Sequence, residues 1–129
     1  MRAEELKGHL DAMLLAALEG GPRHGYAVIE SLRQSTGGRL DLPTGTIYPA
    51  LRRLEQAGLI AGTWSVVGGR RRREYRLTPA GIRVLSGRRA AWQDFSATVT
   101  AALESAALVN ATLENAALED TACPSPNPA

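Results

Sequence analysis

Two β-rich runs, LIAGTWSVV (59–67) and RREYRLT (72–78), stand on either side of GGRR. Valine, threonine, tryptophan and tyrosine suit a pleated surface, and paired glycines between such runs signal a hairpin. The chain on both sides of this segment repeats with helical rather than alternating period. That order restricts the chain to a mainly α fold with a small β-hairpin.

The helical stretches can be placed one by one. Over 4–19, Leu6, Leu10, Met13, Leu14, Ala17 and Leu18 recur at helical spacing, and EGGPRHG (19–25) then breaks the chain. A second helix is expected from about His24 to Ser35, with Tyr26, Ile29 and Leu32 turned inward. His24, after a Gly-Pro turn, suits a capping or packing role. TGGRLDLP (36–43) reads as a loop in which Leu40 and Leu42 can pair as a short strand. The third helix lies within LPTGTIYPALRRLEQAGLI (42–60), with Thr44 as its N-cap. At 100° per residue Ile47, Ala50, Leu51 and Leu54 share one stripe, and Pro49, Arg52, Arg53 and Gln56 lie opposite. Thr78-Pro79 supplies a cap and a first-turn proline for a long helix from Pro79 to at least Leu103.

Three helices, a hairpin and a long helix make a winged helix-turn-helix plus a long C-terminal dimerisation helix. The expected division is 1–77 for the winged unit and 78–120 for the dimerisation helix and a helical extension. A disordered tail is expected over 121–129, where CPSPNPA carries three prolines. In the extension LESAAL (103–108) recurs as LENAAL (113–118). Its leucines step by five and so do not form a heptad seam.

Charge is unevenly shared. All 15 Lys and Arg lie in 1–89 with 8 acids, a balance of +7, while 90–129 holds 5 acids and no base. The first part suits a polyanion and the second does not. No apolar run approaches the ~20 residues of a membrane span. One cysteine, Cys123, excludes an internal disulfide and a Cys-based zinc site. These features predict a cytoplasmic protein without membrane contact. No paired carboxylates, Ser-His-Asp set or metal cluster is legible, so neither an enzyme nor a bound cofactor is expected.

Double-stranded DNA is the expected partner. Thr44, Gly45, Thr46 and Tyr48 gather at the N-terminal end of the third helix, where free N–H groups and the helix dipole attract phosphate. Arg52 and Arg53, one turn later, have the reach to touch base edges. Pro49 costs one helical hydrogen bond, to the carbonyl of Gly45, and thereby shapes that end. Arg70, Arg71, Arg72 and Arg73 come directly after the hairpin glycines. Four adjacent like charges add nothing to a fold, whereas a phosphate backbone neutralises them and releases counterions. Arg70 and Arg71 are expected at the tip. Alternation sends Arg73, Tyr75 and Leu77 to one face and Arg72, Glu74 and Arg76 to the other. The plainer alternatives are a solvated helix face and a solubilising loop, which would leave a winged-helix protein-interaction module.

HGYAVIESLRQ, LPTGTIYPALRRLEQAGLI and GRRRREYRLTPAG, in that order and spacing, resemble the hallmark stretches of the PadR family of bacterial transcriptional regulators. The resemblance covers about residues 6–92. It implies a homodimeric winged-helix protein, usually a repressor of a nearby operon. Its third helix would enter the major groove, its wing touch adjacent backbone, and its last helix dimerise. The length resembles the subfamily with a single C-terminal helix. Some members hold a small aromatic or drug-like molecule between subunits.

Dimerisation is indicated by the residues too. Ile82, Leu85, Trp92, Val99 and Leu103 recur near heptad spacing, with Phe95 beside them. Leu6, Leu10 and Leu14 are expected to form the facing wall. Trp92 and Phe95 offer an aromatic platform for a flat effector, or a plain interface core. A two-fold dimer calls for a pseudo-palindromic operator.

Overall fold

A computed structural model describes residue 6 and residues 8–122, the side chains of 106 and 117–122 excepted. Its elements run α1 (Leu10–Ala17), β1 (Arg23–His24), α2 (Gly25–Ser35), α3 (Thr44–Gln56), β2 (Ile60–Val67), β3 (Arg70–Leu77) and α4 (Pro79–Ala122). The three strands form one antiparallel sheet in the order β1-β3-β2. This is a mainly helical winged helix-turn-helix with a long C-terminal helix.

The core forms where the apolar stripes of α1, α2 and α3 meet. Leu14, Leu15, Val28, Ile47, Leu51, Leu54 and Ile60 are fully or almost fully enclosed, and Ala50 joins them. Burying each of the larger side chains contributes about 1.5–3 kcal/mol. The stripe expected on α3 is therefore the buried one, while Pro49, Arg52, Arg53 and Gln56 face solvent. The helix continues through Pro49.

Several expectations need correction. Leu6 is helical, Gly8 then takes a left-handed turn at φ 87°, and α1 runs from Leu10, so the helix expected over 4–19 is interrupted at Gly8; residues 4, 5 and 7 of it lie outside the described residues. Leu40 and Leu42 form no strand; Leu40 is buried in the core and Leu42 packs on it. The third strand is instead Arg23–His24, paired with Tyr75 and Glu74. Two residues are too few to show an alternating pattern, which is why the sequence concealed it. Tyr26 is not inward but 64% exposed, and Val28 takes its place beside Ile29 and Leu32.

The hairpin turn is shorter than GGRR. Gly68 and Gly69 both have positive φ, 59° and 77°, and Val67 pairs directly with Arg70. Two left-handed residues close a hairpin whose twist matches its strands, so no further loop residue is needed. Arg70 and Arg71 accordingly belong to β3 rather than to the tip.

Helix α4 starts as its sequence predicts. The Thr78 hydroxyl accepts from the Gly81 N–H at 3.1 Å and donates to the Gly58 carbonyl at 2.6 Å. Gly81 lies so close to the Leu59 carbonyl that a Cβ there would stand 1.9 Å from its oxygen. Leu85 is buried in the core and Arg89 clasps Glu19 through two bonds of 3.0 and 2.9 Å. The first compact unit therefore extends to Arg89, not to 77, and Ala90 opens the second. Leu6 and Leu85, expected at a dimer interface, are core residues of this first unit, and Leu10 packs on the same core. Leu14 is fully buried there as well.

Within the second unit α4 carries Trp92, Phe95, Val99 and Leu103, all exposed. The helix reaches Ala122, so residues 121 and 122 of the expected tail are helical. The rest of that tail, 123–129 with Cys123, lies outside the described residues. Among the described residues, no helix is long and apolar enough to cross a membrane.

Candidate nucleic-acid interface

The exposed end of α3 begins one residue earlier than expected. Pro43, not Thr44, is the N-cap, and its carbonyl accepts from the N–H groups of Thr46 and Ile47 at 3.0 and 3.1 Å. The N–H groups of Thr44 and Gly45 have no intrahelical carbonyl to meet. Both residues are exposed, and Thr46 is half-buried. Small side chains and open N–H groups at a positive dipole end fit a phosphate.

Tyr48 leaves this end sideways. Its ring lies against Gly25, where a Cβ would come within 2.5 Å of the ring. Gly25 is the first residue of α2, and His24 before it caps that helix by accepting from the Ala27 N–H through Nδ1 at 3.2 Å. The other ring nitrogen of His24, Nε2, meets Arg72 Nη1 at 3.2 Å. One contact chain thus links the α2 start to both α3 and the wing.

The wing arginines are not equivalent. Arg70, Arg71 and Arg72 are exposed, whereas Arg73 is half-buried. Arg73 pairs with Glu55 of α3 through a short contact. Register places Trp64 opposite Arg73 and Val66 opposite Arg71. The Trp64 ring is consequently flanked by two guanidiniums, Arg71 at 4.7 Å and Arg73 at 5.3 Å from its centroid. Tyr75, two residues along, is buried, and burial pushes its phenol up from the ordinary value.

Residues of α2, α3 and the wing come together in a cleft of about 550 Å³. Tyr48 from α3, Tyr26 from α2, and Trp64, Arg71 and Arg72 from the wing line it. Among the described residues, no acidic side chain forms part of its walls. Of the two α3 arginines, Arg53 reaches across to Asp11 of α1 at 2.5 Å. Arg52 is exposed and has no ion-pair partner among the described residues.

The sequence pointed to Thr44, Gly45, Tyr48, Arg52 and Arg70 to Arg72, all of which are exposed. It did not point to Trp64 or Glu55. The signal for Trp64 was present: counting back from a two-residue Gly68–Gly69 turn puts it directly opposite Arg73. Glu55 had no such signal, because its partner arrives from another element. Among the described residues, no cluster of His, Cys, Asp and Glu is arranged to hold a metal.

The chain matches the family model "Transcriptional regulator PadR-like family" over residues 14–87. It is 40% identical over 77 residues to a transcriptional regulator of Mycobacterium tuberculosis, an alignment covering 60% of this chain and 59% of the relative. The crystal structure of a PadR family transcriptional regulator from Eggerthella lenta is similar at TM-score 0.68 and 36% identity, over 78% of this chain and 87% of that one. A PadR-like regulator from Bacillus cereus is similar at TM-score 0.69 and 28% identity, over 78% and 97%. PadR proteins are DNA-binding regulators of transcription rather than enzymes. The capped α3, the arginine-bearing wing and the family match over most of the compact unit agree: the chain belongs to the PadR-like family of transcriptional regulators.

Proposed function

We propose that this regulator is a sequence-specific homodimeric repressor of a nearby operon, with α3 in the major groove and the β2-β3 wing on the flanking backbone. The observation that carries the proposal is the shared cleft, which puts Tyr48 of α3 beside Arg71 and Arg72 of the wing. Thr44, Gly45 and Thr46 would seat a phosphate, and Arg52 would read base edges. Arg70, Arg71 and Arg72 would supply the backbone contacts. Two copies related by a two-fold axis, joined through α4, would set two α3 helices about 34 Å apart, one turn of DNA, on a pseudo-palindromic operator.

A flat aromatic effector stacked on Trp92 and Phe95 would give the repressor its release. The two rings lie 6.0 Å apart between centroids, tilted by 36°. Such an effector acts by binding one arrangement of the dimer better than the other.

The test uses a duplex selected from a random pool by the wild-type chain. Neutralising Arg70 and Arg71 to Gln should flatten the slope of log affinity against log salt by up to about two phosphate contacts' worth. An unchanged slope removes the wing from the interface. A wild-type chain that enriches no duplex removes sequence-specific binding altogether.

A further inference from the structure

Glu55 is the acidic residue of α3 and is half-buried. One of its oxygens, Oε2, accepts from the Gly62 N–H of β2 at 3.2 Å and also from the Arg73 guanidinium of β3. A single carboxylate oxygen therefore ties the proposed reading helix to both strands of the wing. The local sequence makes room for this. A Cβ at Gly62 would stand 2.7 Å from Arg73 Nε and 2.8 Å from Glu55 Oε2. The tie continues outward, because Arg73 lies over the Trp64 ring, whose centroid is also 4.7 Å from Arg71. Glu55, Arg73, Trp64 and Arg71 thus form a row from the helix to the exposed wing.

We infer that Glu55 is a positioning residue: it fixes the angle of the wing against α3, and so decides whether Arg70, Arg71 and Arg72 meet the DNA backbone while α3 occupies the groove. Arg73, although part of the tetra-arginine run, serves this strut rather than phosphate. The inference rests on the DNA-binding function proposed above. A two-stranded wing is long and narrow, and sheet pairing alone leaves it able to twist relative to a helix it does not pair with. A charge-assisted bond at the crossing removes that freedom before DNA arrives.

Charge alone predicts the opposite outcome on mutation. Removing an acid from a basic surface should strengthen binding to any polyanion. If Glu55 is the strut, Glu55→Gln instead weakens binding to the selected duplex, by roughly tenfold. It also flattens the salt slope, because wing contacts are lost. Arg73→Gln gives the same loss, and the Glu55→Gln/Arg73→Gln double variant loses no more than either single. Gly62→Ala keeps both charges but displaces their contact, and should weaken the same duplex without changing net charge. Thermal melts and circular dichroism accompany each variant, and Gly62→Ala decides the matter if Glu55→Gln does not fold. Equal or tighter binding by Glu55→Gln, or additive losses in the double variant, overturns the strut. Failure of the wild-type chain to prefer its selected duplex over random DNA would instead overturn the DNA function on which the strut depends.

Discussion

Arg52 and Arg53 are sequence neighbours, and both are exposed. Arg53 nevertheless meets Asp11 at 2.5 Å, while Arg52 meets no acid among the described residues. An exposed pair of this kind is a weak tether, and its geometry still biases where the guanidinium points. The two arginines should therefore differ in use. Arg52→Ala is expected to cost ~1–3 kcal/mol on the selected duplex, the value of a bidentate base contact, and little on random DNA. Arg53→Ala should cost less on the selected duplex, and Asp11→Asn should tighten binding to both duplexes alike. Fluorescence anisotropy on the two duplexes reads all three; an equal loss from either arginine would remove the distinction. Tyr48 makes a related point. The sequence placed it at the phosphate-facing end, and it is exposed there, but its ring also depends on Gly25 having no side chain. Residue identity was legible at both sites; the partner that fixes each side chain was not, since it lies in another element.

At the scale of elements, the start of α4 is held by more than its cap. Arg88 Nη1 donates to the Gly8 carbonyl at 3.2 Å, and Arg89 grips both oxygens of Glu19. The Arg89 hydrogen bond, and less strongly its charge, holds the Glu19 carboxyl below its ordinary range. A carboxylate with a depressed folded pKa stabilises the fold above its unfolded pKa and loses that effect as the pH falls through the folded value. The wild-type chain should thus melt slightly above Glu19→Gln at about pH 6, with the gap closing towards pH 3. Calorimetry across that range is the check, and a gap that widens in acid contradicts the clasp. The hairpin illustrates what element-scale reading recovers. Its existence is legible in two β-rich runs and paired glycines. Its register hinged on whether the turn took two residues or four, and the positive φ of Gly68 and Gly69 settled it at two. That choice aligns Trp64 with Arg73. Strand β1, two residues long, emerges only from its pairing with β3.

At the scale of the whole molecule, charge and apolar surface divide the chain. Residues 90–129 carry five acids and no base, and Trp92, Phe95, Val99 and Leu103 are exposed within them. Exposed aromatic and branched residues near heptad spacing fit the dimerisation proposed for α4. Val99→Glu should convert a wild-type dimer to a monomer in sedimentation at micromolar concentration, and weaken operator binding at least tenfold by removing the second half-site. A monomeric wild-type chain would refute the two-fold operator. The sequence by itself determined the order of the helices and the hairpin, the buried stripe of α3, the capped start of α4 and the basic character of residues 1–89. Each of these is carried by local period, local caps or plain charge, and needs no knowledge of what lies across the fold. Only the tertiary structure decided that Leu6 and Leu85 serve their own core and that Arg53 belongs to Asp11. It alone also tied Glu55 to the wing. Those outcomes depend on contacts between residues far apart in the chain, and a side chain's partner is set by packing that no single segment encodes.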